Sequence, residues 1–183
     1  ERFETRYVYD QLDRVVRVTD NAGHTSRFQY DSRNNLIARS DPEGGLINDP
    51  LGIFPGQINE DGNTTTYAYD GLDRRIRKSV DLRIGGTGDG VVDLSNPHNN
   101  DGKIVVEYGY DGNSRLVRIR DDKNNEIQFE YDDLNRRIKQ TAADGGTYAV
   151  THDRDDNVVK IVDANGTEVL KTYDALNRLI RVD

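Results

Sequence analysis

The residues of this chain best equipped for chemistry are its acids, and they stand in a pattern. Asp and Glu number 33 against 25 Lys and Arg. Aspartates recur directly after an aromatic ring at Tyr9–Asp10, Tyr30–Asp31, Tyr69–Asp70, Tyr110–Asp111, Tyr131–Asp132 and Tyr173–Asp174, with His152–Asp153 as a variant. A carboxylate can act as a general base, a nucleophile or a metal ligand, but each role needs partners in one singular geometry. A group repeated at a fixed spacing has a repeated structural job instead, so no catalytic residues and no enzyme are expected.

The remaining candidates are weighed on the same grounds. In "GTGDGVVDLS", Asp89, Gly90 and Asp93 fall at the fifth, sixth and ninth positions of a calcium loop. Gly85, Thr87 and Asn96 would supply the first, third and twelfth, and none is a strong ligand. No cofactor is therefore expected, and Asp89 and Asp93 are the candidate residues should calcium bind. His24, His98 and His152 lack metal-ligand spacing, the serines lie in turns, and cysteine is absent. Without cysteine, disulfides and thiolate chemistry are excluded. The Asp–Pro steps of "DPEG" (Asp41) and "DPLG" (Asp49) read as proline-assisted turns. Tyr67 and Tyr108 are candidate ligand-facing rings, able to stack on sugars, against the reading in which the tyrosines form the core.

What must position these residues is legible from their intervals. Asp10, Asp31, Asp70, Asp111, Asp132, Asp153 and Asp174 are separated by 21, 39, 41, 21, 21 and 21 residues. A second ring often stands two residues before the first, as in Tyr7, Phe28, Tyr67, Tyr108 and Phe129. Two residues is the strand period, so both rings share a face of a strand. Each Asp suits the first position of a type I turn, and the residue three further on suits the left-handed position of a bulge. That slot holds Asp13, Asn34, Asp73, Ser114, Asn135, Asp156 and Asn177. A second turn follows about ten residues later, as "DNAG" from Asp20, "DPEG" from Asp41 and "DANG" from Asp163.

Each unit therefore reads strand, turn, strand, turn. The expected fold is all-β: tandem β-hairpin repeats of 21 residues joined into a continuous twisted antiparallel sheet, a segment of a β-shell, barrel or roll. The array spans 1–183, with a degenerate repeat at 45–66 and a Gly/Asn-rich loop insertion at 82–103. An apolar residue stands six after each Asp, from Val16 to Ile180. The next position is usually basic, in Arg17, Arg77, Arg118, Lys139, Lys160 and Arg181, and acids on neighbouring strands are expected to offset that ladder.

Composition bounds the partners. Leu, Ile, Val and Phe make about a quarter of the chain, little above the roughly one-fifth at which disorder becomes the default. A net charge of −8 with scattered cations argues against nucleic acid, and no apolar run reaches the length of a membrane helix. The chain opens inside an expected strand without a signal peptide, so it reads as a piece of something longer.

The repeated phrases "YDALNRLI", "YDDLNRRI", "YDGLDRRI" and "YDQLDRVV" resemble the motif of the YD-repeat (Rhs) family. The resemblance covers nearly the whole chain. It implies a very large secreted or cell-surface parent, bacterial by expectation, akin to polymorphic toxins, insecticidal toxin-complex shell subunits and teneurins. In that family the hairpins spiral into a hollow shell that can enclose an effector domain. By resemblance this chain is a wall or scaffold segment whose partners are neighbouring repeats and an enclosed or adjacent domain. The alternative is a module binding a carbohydrate or a cell-surface partner.

Overall fold

The computed structural model describes residues 3–43, 64–81 and 103–183. The candidate calcium residues Asp89 and Asp93, the Asp49 step and His98 lie outside the described residues, as do most of the 45–66 repeat and the 82–103 insertion.

The strands run β1 (Arg6–Tyr9), β2 (Val15–Thr19), β3 (Thr25–Tyr30), β4 (Leu36–Glu43), β5 (Thr64–Tyr69), β6 (Arg75–Asp81), β7 (Lys103–Tyr110), β8 (Leu116–Asp121), β9 (Glu126–Tyr131), β10 (Arg137–Thr141), β11 (Thr147–His152), β12 (Val158–Val162), β13 (Glu168–Tyr173) and β14 (Leu179–Val182). No helix occurs among the described residues. The fold is all-β, and the order of strands in the sheet is the order of the chain. The chain divides into two compact units, residues 1–106 and 107–183.

In the first unit β1 to β6 pair successively and antiparallel. Opposed residues share a face, so Tyr7 sits with Val18, Phe28 with Arg39 and Tyr67 with Lys78. The "DPEG" segment departs from expectation here. Asp41, Pro42 and Glu43 continue β4 instead of turning, because the β3–β4 register slips between Ser40 and Glu43. Proline is tolerated at such a bulge, where no ladder N–H is required of it. The Ser40 hydroxyl fills in for the disturbed ladder, accepting from the Arg27 N–H at 3.1 Å.

The second unit repeats the meander from β8 to β14. Ile119 faces Ile127 and Val150 faces Ile161. On the opposite face the basic ladder is offset across strands, with Lys139 Nζ 2.8 Å from Glu130, Lys160 Nζ 2.6 Å from Glu168 and Arg118 3.9 Å from Glu126.

Among the described residues Ala38 alone of the apolar residues is buried; Ser40, Thr64, Thr65 and Ser79 are the other buried positions. The rings are not a sealed core. Tyr30, Tyr69, Tyr110, Tyr131 and Tyr173 are half-buried, shielded by side chains of adjoining strands, and Tyr7 and Tyr9 are exposed. With a quarter of its residues large and apolar, the chain has too little to build two packed layers. Among the described residues, order comes chiefly from hydrogen bonding within the sheet.

Candidate functional site

Each Asp of the repeat builds its turn with both carboxylate oxygens. At Asp174, Oδ1 accepts the N–H groups of Leu176 (2.9 Å) and Arg178 (3.0 Å), while Oδ2 accepts Arg178 Nε at 2.7 Å. The Asp174 carbonyl accepts from Asn177 N–H at 3.0 Å, closing the turn. Asp10, Asp70, Asp111 and Asp132 repeat this arrangement with Arg14, Arg74, Arg115 and Arg136. At Asp31 and Asp153 an Asn amide, Asn35 or Asn157, replaces the guanidinium.

The seven residues three places after each Asp all lie in the left-handed region, with φ from 59° to 70°. Short polar side chains tolerate that conformation, and glycine takes it at Gly23, Gly145 and Gly166 in the second set of turns. In that second set Asp20, Asp121 and Asp163 repeat the Oδ1 geometry. In "AADG" the first position is Ala142, and Asp144 compensates by accepting the Gly146 N–H at 2.9 Å.

Electrostatics follows from these bonds. The Arg178 guanidinium and main-chain N–H hold the Asp174 carboxyl below its ordinary value of 3.8. The Arg115 N–H, then its guanidinium, does the same for Asp111, and the Asn157 amide for Asp153. A depressed carboxyl suits a permanently ionised acceptor and not a general acid.

The residue four places after the Asp then reaches the next turn, a contact that motif reading alone did not anticipate. Arg14 Nη1 donates to the Asp31 carbonyl at 3.0 Å, Arg115 Nη1 to the Asp132 carbonyl at 3.0 Å, and Arg136 Nη1 to the Asp153 carbonyl at 3.0 Å. Arg115 and Arg136 also bond the left-handed residue of that neighbour, Asn135 at 3.0 Å and Asp156 at 2.6 Å. Asn35 and Asn157 do so by amide, to Asp73 at 2.7 Å and Asn177 at 2.9 Å. Each unit thus carries a chain of turns stapled side by side.

The motif tyrosines complete the staple. Tyr69, Tyr131 and Tyr173 donate their hydroxyls to the carbonyls of Leu36 (2.9 Å), Leu116 (2.8 Å) and Val158 (3.0 Å), each in the preceding hairpin. The Arg14 guanidinium lies 4.8 Å from the Tyr30 ring centre and Arg115 5.0 Å from that of Tyr131, distances at which a cation is drawn to a ring face. His152 occupies the corresponding slot in β11, half-buried, with no hydrogen-bond partner for its Nδ1.

Of the candidate ligand-facing rings, Tyr67 is half-buried with Arg75 over it at 4.9 Å, and Tyr108 is half-buried in β7. A cavity of about 380 Å³ opens instead beside Tyr9, Phe28 and Tyr30, floored by Val16 and Ile37. No cluster of metal-ligating side chains occurs among the described residues.

The class of protein is then defined by its geometry: a sheet of tandem hairpins whose Tyr, Asp and Arg side chains are bonded from repeat to repeat. An RHS Repeat family model matches residues 4–46, and a Teneurin YD-shell model matches residues 95–182. Residues 4–46 and 95–182 thus carry repeats of the YD (Rhs) type.

Solved structures share the fold. A Photorhabdus luminescens Tc holotoxin pore with a substitution in TccC3 matches at 17% identity and a TM-score of 0.69, over 98% of this chain and 8% of that one. TcdB2–TccC3 without its hypervariable C-terminal region matches at 15% identity and a TM-score of 0.52, over 97% of this chain and 10% of that one. A TcdB2–TccC3–Cdc42 structure matches at 14% and 0.52, over 97% and 10%. The chain spans about a tenth of the length of these relatives. No curated protein sequence matches it.

Proposed function

We propose that this chain is a non-catalytic wall segment of a large secreted or surface YD-repeat protein, one that encloses or displays another domain. The observation that carries the reading is the chain of Arg and Tyr staples between successive hairpins, which holds a sheet together without a packed core behind it. Such a sheet can extend by adding repeats, and it leaves both faces available, one toward a cargo and one toward solvent. No metal or cofactor is required by this role.

Limited proteolysis of the parent protein tests it. The enclosed domain is expected to resist digestion while the wall is intact and to become sensitive when Arg115→Ala and Arg136→Ala loosen it. Equal digestion with and without those substitutions overturns the reading.

The second reading, a glycan-binding or cell-surface-binding module, is favoured by the cavity beside Tyr9, Phe28 and Tyr30. Aromatic walls with a flanking Asp10–Arg14 pair suit a sugar ring and its hydroxyls. It predicts a glycan-array signal that Tyr9→Ala removes while the circular dichroism spectrum is retained. A signal indifferent to Tyr9 disposes of it.

A further inference from the structure

One slot of the repeat turns points leucine side chains outward. In every repeat turn the third residue gives its N–H to the Asp carboxylate, at 2.8 Å for Leu12 and 2.9 Å for Leu72, Leu134 and Leu176. Any residue but proline could make that bond. Yet four turns place leucine there, and these residues stand 68%, 68%, 65% and 72% exposed. Scattered exposed leucines need no explanation, but leucine recurring in one slot along one rim is a periodic pattern that a partner of matching period can read.

The turn between the leucines of a unit carries charge in the same slot. In the first unit the rim reads Leu12, Arg33, Leu72; in the second it reads Asn113, Leu134, Asp155, Leu176, whose last three repeat the leucine–charge–leucine order. Successive turns of a rim are two strands apart, about 10 Å, so the leucines of each triad stand about 20 Å apart. The two triads have the same spacing and opposite central charge, and each is symmetric about its centre. The Asp155 side chain makes no ion pair among the described residues, while Arg33 lies 3.0 Å from Asp73 with 44% of its side chain exposed. Two first-unit rims, or two second-unit rims, would oppose like charges.

We propose that the turn rim is a self-association surface, on which Leu12, Arg33 and Leu72 of one copy dock against Leu134, Asp155 and Leu176 of a second copy. Leucine meets leucine at both ends and Arg33 meets Asp155 between them. The contact is heterologous, so it propagates from copy to copy unless it closes into a ring. Turn tips bury little area, which puts the association in the weak, transient class.

Sedimentation equilibrium of the chain from micromolar to millimolar concentration, at low and high salt, provides the test. Concentration-dependent association is expected, weakened by salt because the central pair is exposed. Asp155→Arg should weaken it at least tenfold, and adding Arg33→Asp to the same chain should restore it. Serine at all four leucines should abolish it with the thermal melt unchanged. Arg33→Asp also removes contacts with Asp70 and Asp73; Asp155→Arg has no such in-chain loss and decides the matter if the double variant fails to fold. A monomer at every concentration overturns the proposal. So does association that is unaffected by Asp155→Arg and by the four serines, which would assign it to the strand edges.

Discussion

The guanidinium of Arg136 belongs to two turns at once: it pairs with Asp132 of its own hairpin at 2.7 Å and donates to the main-chain carbonyl of Asp153 in the next at 3.0 Å. A planar fork with five donors can hold both partners, and a lysine ammonium cannot reproduce that geometry. Arg136→Ala and Arg136→Lys should therefore lower the melting midpoint alike, by about 3 °C or more. A lysine variant that melts like the parent would show that charge alone is at work.

The tyrosine hydroxyl makes a separable contribution. Tyr131→Phe removes only the bond to the Leu116 carbonyl, 2.8 Å long, and should cost about 1 kcal/mol. Tyr131→Ala also removes the ring beneath Arg115 and should cost about 3 kcal/mol. Urea titration of the two variants checks the ordering, and equal losses would mean that the ring contributes nothing beyond its hydroxyl.

The left-handed slots give a test of opposite sign. Asp13 sits at φ 59°. Asp13→Gly should be neutral or slightly stabilising, whereas Asp13→Ile forces a β-branched residue into that region at about 1–2 kcal/mol. Paired chemical melts read both directions.

Acid should loosen the fold through the turns. The folded carboxyls of Asp70, Asp111, Asp153 and Asp174 lie below the ordinary value of 3.8. Because the folded form holds these protons more weakly than the unfolded chain, their contribution is full above that value and disappears as pH falls through the lowered folded ones. The melting temperature should be flat from neutral to about pH 5 and drop steeply below pH 4. A melting temperature that holds steady between pH 4 and 2 would contradict this assignment.

Much of this architecture is local grammar, and local grammar survives in a sequence. Asn34 and Asn177 announce their backbone conformation because few side chains accept it, and Asp31 and Asp174 announce the turns they close. Contacts that depend on which turn lies beside which are harder to read. Arg14 looks like a solvated cation until strand order brings Asp31 within its reach. Pro42 was misleading because "DPEG" is equally good chemistry for a turn and for a bulge, and only the pairing of β4 with β3 decides between them. Tyrosine burial is hard to read for a related reason: a ring on a strand face says nothing of whether anything covers it. The leucine rim is not legible in the sequence, since leucine in a motif suggests interior packing and only the turn geometry places it outside.

Among the described residues almost no apolar side chain is buried, which has a consequence for how such a sheet comes apart. A globular domain fails as a whole because its centre is common property; here each hairpin is answerable chiefly to the two beside it. Damage in one repeat is then borne by its neighbours and fades along the array. Fraying would travel from an end like a zipper, with a calorimetric enthalpy larger than the van't Hoff value.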